Sequence, residues 1–136
     1  MPKIEKKHIL SIAFIFLALA DQLIKYFVRQ AGVFYVCNKG IAFSLPVPWW
    51  MIYAVFFIFF ILVGLYVFDK IRFKELELDK IGLTLIAGGA LGNLIDRLNH
   101  GCVTDFIRLG FFPVFNLADI LIFIGAVMII FKHYKK

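Results

Sequence analysis

The sequence predicts an all-α membrane protein with four transmembrane helices, both termini in the cytoplasm and a small β-rich extracytoplasmic segment. Hydrophobic residues make up 62% of the 136-residue chain, whereas soluble domains are closer to half apolar. These residues form four runs, at approximately 9–28, 49–68, 81–98 and 114–131. Each run is close to the length of about 20 residues that a helix needs to cross a bilayer. A chain of this length fits a single domain, covering residues 1–136.

The first run follows a basic head and is interrupted near its end by Asp21, Gln22 and Lys25. A basic head, an apolar stretch and the triplet Ala18-Leu19-Ala20 are also typical of a cleaved secretory signal peptide. We favour a membrane span, because apolar residues resume directly after Gln22 as LIKYFV. An intact-mass measurement distinguishes the two interpretations.

The second run, Trp49–Phe68, contains no charge and is the clearest of the four spans. It follows a connection, residues 29–48, in which VFYVCN has the composition of a β-strand. A short charged loop leads to the third run, and a second mixed connection, residues 99–113, leads to the fourth. The two mixed connections form the predicted β-rich segment.

Basic residues give the orientation of the spans, because cytoplasmic segments of membrane proteins carry an excess of Lys and Arg. The head, the middle loop and the tail hold ten: Lys3, Lys6, Lys7, Lys70, Arg72, Lys74, Lys80, Lys132, Lys135 and Lys136. The other connections and adjoining helix ends hold five: Lys25, Arg29, Lys39, Arg97 and Arg108. An even number of spans places both termini on one side, and this excess predicts that the side is the cytoplasm.

On this topology the polar residues of the runs gather at the extracytoplasmic end of the helices. They are Asp21, Lys25, Asn93, Asp96, Arg97, Asn116 and Asp119. An ionisable side chain inside a span is costly and usually functional. Asp105 lies in the connection on the same side, fourteen positions before Asp119, and both have apolar flanks. We therefore expect Asp105 and Asp119 to meet as a pair of carboxyl groups at the membrane edge.

Two aspartates held close together share a proton near neutral pH, because both cannot ionise without a large cost. The ionised carboxylate can take a proton from water, and the protonated one can polarise a scissile carbonyl and help the amine leave. The pair titrates together, so the sequence does not assign the proton to either residue. This chemistry requires no metal and no cofactor, and neither is predicted. The basic residues form no stripe for nucleic acid, so no such partner is predicted.

The remaining polar residues also have structural interpretations. Asp21 and Lys25 lie four residues apart on one helix face and suit an ion pair as well as a function. Asp96 and Arg97 suit a structural pair that reaches the interface.

The third run carries a second pattern. Gly88 and Gly92 form a GxxxG pair, which favours close packing of helices in lipid. Gly89, Asn93 and Arg97 follow at four-residue spacing, and the last two lie where they can hydrogen-bond a neighbour.

Two other classes of function stay open at this point. A small proton-coupled transporter also uses buried carboxyl groups, but it needs them near the bilayer midplane on a path to both sides. A non-catalytic assembly factor would use the polar cluster only to pack helices, and would tolerate conservative changes at the two aspartates.

Five sequence blocks occur in order along the chain: DQLIK (Asp21–Lys25), NKGIAFS (Asn38–Ser44), GGALGNLIDR (Gly88–Arg97), GCVTDF (Gly101–Phe106) and FNLAD (Phe115–Asp119). In these blocks the chain resembles the lipoprotein signal peptidases, or signal peptidase II, a family of bacterial membrane aspartic peptidases. One block would be weak support, but five in order on four predicted spans are specific.

This resemblance implies that Asp105 and Asp119 are the catalytic dyad. It implies that five residues support the site or hold the substrate backbone: Asn38, Gly40, Asn93, Arg97 and Asn116. It favours Asp21 and Lys25 as a structural polar pair.

The same resemblance implies a substrate and a location. The substrate is a diacylglyceryl-modified prolipoprotein, cut just before its lipidated cysteine. The protein would be a multi-pass protein of the bacterial cytoplasmic (inner) membrane, surrounded by its lipids, with the active site at the extracytoplasmic face. An inhibitor of the globomycin type is expected to occupy the site, and the protein is expected to be a monomer.

The connections between the blocks are shorter here than in many members of that family. Twelve residues separate Lys25 from Asn38, which leaves open the extent of any cradle for the substrate. The two cysteines, Cys37 and Cys102, have no spacing typical of a zinc site or a disulfide framework. Their pairing is left open, and a disulfide is not predicted.

Overall fold

The structure, a computed structural model, describes residues 6–41, 45–67 and 77–134. It contains four helices: α1 (Lys6–Gln30), α2 (Trp49–Val67), α3 (Glu77–His100) and α4 (Leu117–Tyr134). Two short strands, β1 (Val36–Asn38) and β2 (Val103–Asp105), form an antiparallel sheet. The prediction of a mainly helical chain with a small β segment is confirmed. Most of the basic head, most of the charged loop and the last two residues lie outside the described residues.

Each helix overlaps one of the predicted apolar runs. Helices α1 and α3 extend beyond their runs at both ends, and α4 begins three residues later than its run. Phe115 bonds back to Ile107 in an isolated antiparallel bridge, so this part of the run is extended rather than helical. Asn116 then caps the helix, because its side-chain oxygen accepts the Asp119 N–H at 3.0 Å.

Helix α3 lies at the centre of the fold, where it packs against α1 and α4 and more lightly against α2. Glycines permit this close approach. A Cβ at Gly88 would lie 3.0 Å from Leu17 of α1, and one at Gly82 would lie 2.8 Å from the backbone oxygen of Gly125 in α4. The packing role predicted for the GxxxG pattern agrees with this arrangement.

Polar side chains are buried in this fold and large apolar side chains are exposed. Asp21, Lys25 and Asp96 are fully buried, whereas Trp49 and Phe57 of α2 are 73% and 69% exposed. Apolar surface of this extent marks a site of contact with a membrane or another protein.

Among the described residues, one helical segment is long and apolar enough to cross a membrane by length and composition. It is Lys80–His100, and Trp49–Leu65 is a shorter apolar helix. The four-span topology stays a prediction.

Gly101 ends α3 and sends the chain into β2. Its φ is +71°, in the left-handed region, and its N–H bonds to the Arg97 carbonyl at 2.9 Å. Glycine is favoured at such a helix end because other residues are strained there. The turn places β2, and therefore Asp105, beside the end of α3.

Gly92→Ala is expected to destabilise the protein by about 1–3 kcal/mol. The added Cβ would lie 2.5 Å from the Asp21 carboxylate oxygen Oδ2. Asp21 cannot easily move away, because Lys25 and the Ala118 N–H hold its two oxygens at 2.7 and 2.9 Å. Thermal unfolding in detergent measures the change.

Gly64→Ala in α2 is the matched control, since nothing lies within 4 Å of its added Cβ. An alanine in a helix interior is favoured over glycine by about 0.5–1 kcal/mol, so this variant is expected to be neutral or more stable. Equal effects of the two substitutions would contradict the close α1–α3 contact.

Candidate active site

The structure brings Asp105 and Asp119 to one place through Asn116. Asp105 ends β2 and is 2% exposed, and Asp119 lies half-buried in the first turn of α4. The Asn116 side-chain Nδ2 donates to Asp105 Oδ1 at 2.6 Å, and its backbone N–H donates to Asp119 Oδ2 at 3.1 Å. One residue therefore contacts both carboxyl groups.

The geometry at Asn116 is that of a capping box. In this motif the capping side chain accepts the N–H three residues later, and that residue's side chain accepts the N–H of the cap. Asn116 and Asp119 make both bonds, at 3.0 and 3.1 Å. The start of α4 thus fixes the position of Asp119, and the side-chain Nδ2 of Asn116 reaches Asp105.

Asn93 connects Asp119 to the interior of the bundle. Its Nδ2 donates to Asp119 Oδ1 at 2.9 Å, and its Oδ1 accepts from Lys25 Nζ at 2.9 Å and from Asn116 Nδ2 at 3.2 Å. Because two donors face Oδ1, the amide group of Asn93 must turn its Nδ2 toward Asp119. The buried Lys25 therefore orients a side chain that contacts the dyad.

Asn38 reaches the dyad from β1. Its Nδ2 donates to Asp105 Oδ2 at 3.0 Å, while its Oδ1 accepts the Gly40 N–H at 2.9 Å. Arg97 Nη2 in turn donates to the Gly40 carbonyl at 2.8 Å, and the Arg97 guanidinium lies 5.7 Å from the Phe56 ring centre. Arg97 thus supports the segment that carries Asn38.

Burial raises the pKa of Asp105, with a further increase from the nearby charge of Asp119. The hydrogen bonds from Asn38 and Asn116 and the charge of Lys25 oppose this increase. Among the described residues, no cation forms an ion pair with either Asp105 or Asp119 within 4 Å. A raised pKa keeps Asp105 protonated to higher pH than an ordinary aspartate.

Asp21 and Lys25 form the ion pair suggested by their spacing, with Lys25 Nζ 2.7 Å from Asp21 Oδ2. The other Asp21 oxygen accepts the Ala118 N–H at 2.9 Å, in the first turn of α4. A carboxylate at a helix N-terminus satisfies a free backbone donor and the helix dipole. This pair therefore ties α1 to the end of α4 that carries Asp119.

The interpretation of Asp96 as the partner of Arg97 is wrong. Asp96 is fully buried and pairs with Arg29 at 3.0 Å and Lys25 at 3.6 Å, and it accepts the Thr104 N–H at 2.7 Å. Adjacent residues of a helix point about 100° apart, so Asp96 faces α1 while Arg97 faces Gly40.

Sequence reasoning missed three residues around the site: Gln22, Arg29 and Thr104. Arg29 Nη1 donates to Thr104 Oγ1 at 2.7 Å and thereby joins α1 to β2. Gln22 Nε2 donates to the Gly92 carbonyl at 2.8 Å. A signal for Arg29 was present, because it continues the four-residue spacing of Asp21 and Lys25 on one helix face.

Cys37 and Cys102, whose pairing is left open by the sequence, form a disulfide. Antiparallel pairing places Cys37 opposite Thr104, so Cys102 is its diagonal neighbour on the same face of the sheet. Their Cα atoms lie 5.4 Å apart, which suits a disulfide. Among the described residues, no group of three or more His, Cys, Asp or Glu could hold a metal ion.

The sequence model of the family described as signal peptidase (SPase) II matches residues 12–135. The chain belongs to the signal peptidase II family. Two lipoprotein signal peptidases illustrate the similarity. That of Buchnera aphidicola subsp. Schizaphis graminum (strain Sg) is 43% identical over 110 residues, covering 76% of this chain and 70% of the relative. That of Syntrophomonas wolfei subsp. wolfei is 48% identical over 99 residues, covering 71% of this chain and 63% of the relative.

A solved structure of a bacterial membrane enzyme, determined by the in meso method at 2.3 Å resolution, has the same fold. Its TM-score is 0.81 at 26% identity, and the match covers 94% of this chain and 88% of that one. The membrane location predicted from composition is confirmed. Membership of the signal peptidase II family makes the chain an aspartic peptidase that removes signal peptides from prolipoproteins.

Proposed function

We propose that Asp105 and Asp119 are the catalytic dyad of this peptidase, and that they activate a water molecule. The observation that carries this proposal is the contact of Asn116 with both carboxyl groups, at 2.6 Å and 3.1 Å. Asp105 is buried and has no ion-pair partner within 4 Å in the described part of the chain, which favours its protonated form. A purely structural aspartate would instead be paired, as Asp21 and Asp96 are.

The reaction needs one ionised and one protonated carboxyl group. The ionised group takes a proton from water as the water oxygen attacks the scissile carbonyl, and the protonated group donates a hydrogen bond to the carbonyl oxygen. The tetrahedral intermediate then breaks its C–N bond, and a proton passes from the dyad to the leaving amine. The products are the carboxyl terminus of the signal peptide and the amino group of the lipidated cysteine.

The side chains around the dyad hold it in this geometry. Asn38 and Asn116 donate to Asp105, and Asn93 donates to Asp119. Gly40 and Arg97 hold the segment that carries Asn38. Arg97 also holds the substrate backbone under this proposal, as the resemblance to the family implies.

We infer that the protein crosses the cytoplasmic (inner) membrane four times as a single domain, over residues 9–28, 49–68, 81–98 and 114–131, with both termini in the cytoplasm. The excess of basic residues in the head, middle loop and tail supports this topology. The Cys37–Cys102 disulfide supports an extracytoplasmic site, because disulfides persist in oxidising compartments. A tag at each terminus and a protease that cannot cross the membrane test this topology. Digestion of either tag by protease added outside the cell membrane would contradict it.

The substrate under this proposal is a precursor with diacylglycerol on its cysteine, and the cut falls just before that cysteine. We expect a globomycin-type cyclic peptide to inhibit cleavage by occupying the active site. We also expect a monomer of the protein to be sufficient for cleavage. Exposed apolar side chains around the helices would lie in the membrane lipids, where the acyl chains of the substrate also lie.

A cleavage assay with two matched precursors tests this function. Purified protein in a bilayer is given a diacylglyceryl-modified precursor, or the same precursor without the lipid, and a gel shift follows release of the signal peptide. We expect cleavage of the modified precursor alone, with the lipidated cysteine as the new N-terminus by mass spectrometry. Equal cleavage of both precursors, or a cut elsewhere, would contradict the proposal.

A further inference from the structure

Strand β1 carries Asn38 to the dyad but has little support of its own. It has three residues, and β2 is its main packing partner. Val36 and Cys37 are exposed on it. A short two-stranded ribbon is at best marginally stable in water. Pairing with β2 alone would therefore leave Asn38 weakly held.

The disulfide lies where it supplies the missing support. Cys37 directly precedes Asn38, and Cys102 lies between the last turn of α3 and the start of β2. Cys102 is 6% exposed, so its end of the bond is fixed in the packed part of the protein. The bond therefore joins the exposed strand to a buried anchor one residue before Val103.

Asn38 is also held on its other side. Its Oδ1 accepts the Gly40 N–H, and Arg97 donates to the Gly40 carbonyl. With Oδ1 occupied, the Nδ2 of Asn38 is the atom that faces Asp105, at 3.0 Å. Gly40, held in turn by Arg97, thus orients this amide, and the disulfide lies at the residue directly before it.

We propose that the Cys37–Cys102 disulfide positions Asn38 against Asp105, and that the enzyme reaches full turnover only when this bond is formed. The proposal rests on the catalytic role proposed above for Asp105. Cys37 and Cys102 are positioning residues, since neither contacts the dyad. A dithiol such as dithiothreitol opens the bond to two thiols, while the reagent is oxidised to its cyclic disulfide.

A double-mutant cycle tests this inference. The variants are Cys37→Ser/Cys102→Ser, Asn38→Ala and the triple variant, each assayed with the diacylglyceryl-modified precursor. Loss of a hydrogen bond to a charged group lowers kcat by roughly ten- to a hundredfold. We expect this loss in the serine pair and in Asn38→Ala, and no further loss in the triple variant, because both changes act on one contact.

The pH profile separates a positioning role from a purely structural one. The hydrogen bond from Asn38 lowers the pKa of Asp105. Loss of this bond should therefore raise the apparent pKa of the dyad and shift the pH profile of kcat to higher pH. The other groups that act on Asp105 stay in place: Asn116, Asp119 on α4, Lys25 on α1 and Arg97 on α3. A disulfide that only stabilises the fold would lower Tm and leave this profile unchanged.

The chain contains two cysteines, so reduction of the wild-type protein acts at this one bond. If the serine pair does not fold, reversible loss of kcat on reduction and its recovery on reoxidation provide the same test, with thiols counted by titration. Wild-type kcat in the reduced protein, or a triple variant whose loss is the product of the separate losses, would overturn the inference. If the disulfide inference fails but Asp105→Asn is inactive in the same assay, the catalytic role proposed for Asp105 is retained.

Discussion

Asp105→Asn and Asp119→Asn are each expected to lower kcat by roughly 10²- to 10⁴-fold, the contribution of a general acid or base. An amide can neither take a proton from water nor donate the proton that the leaving amine needs. The shape of the side chain and one acceptor oxygen are kept, but the new NH2 group replaces an oxygen that accepts a hydrogen bond in the wild-type protein. Gel-shift assays of the diacylglyceryl-modified precursor, under single-turnover conditions, measure the loss.

Both variants should remain folded, and the pH dependence of stability provides a control. Burial raises the pKa of Asp105, so ionisation of this group opposes folding. This unfavourable contribution is absent at acid pH and grows as pH rises from the ordinary pKa through the raised one. Removal of this contribution offsets part of the stability that Asp105→Asn loses where its new NH2 group faces the donor of Asn38 or Asn116, so the variant should remain folded at assay temperature. A variant that unfolds at assay temperature, or one that processes precursor normally, would contradict the assigned role.

Lys25→Met is expected to destabilise the protein by about 3–5 kcal/mol, the cost typical of breaking a buried ion pair by removing one partner. Lys25 is fully buried, 2.7 Å from Asp21 and 3.6 Å from Asp96. Methionine fills a similar volume but leaves the buried Asp21 carboxylate with no cation within 4 Å in the described part of the chain. Chemical or thermal unfolding measures the change, and turnover per folded molecule should fall much less than in the dyad variants.

Two further variants separate charge pairing from other effects of this substitution. Lys39→Met makes the same change at an exposed position and should alter stability by less than about 0.5 kcal/mol. Asp21→Asn/Lys25→Met removes both charges and should recover part of the lost stability, because no buried carboxylate is left unpaired. Unchanged melting of Lys25→Met together with lost turnover would show that Lys25 acts in the chemistry.

The helices could be predicted because each apolar run is long and its charged flanks are clear. Asp119 could be singled out because an aspartate in such a run has no cation on its own helix turn. Its pairing with Asp105 required more than the pattern, since a loop aspartate is usually solvated. The resemblance to the family in five blocks supplied that step, and the structure adds the contacts of Asn116 with both carboxyl groups.

The parts that could not be predicted depend on how separate segments meet in space. Asp96 pairs with Arg29, 67 positions away, rather than with its neighbour Arg97. The disulfide depends on the register of β1 against β2, which the two short strands do not reveal by their composition. The later start of α4 depends on a bridge from Phe115 to Ile107 that competes with the helix.

The most direct test of a shared dyad compares Asp105→Asn, Asp119→Asn and the double variant in single-turnover cleavage of the diacylglyceryl-modified precursor. Residues that act as one unit lose their combined contribution when either is removed. We therefore predict that the double variant is no slower than the slower single variant. A double variant whose loss equals the product of the two single losses, or a single variant with wild-type turnover, would contradict the dyad.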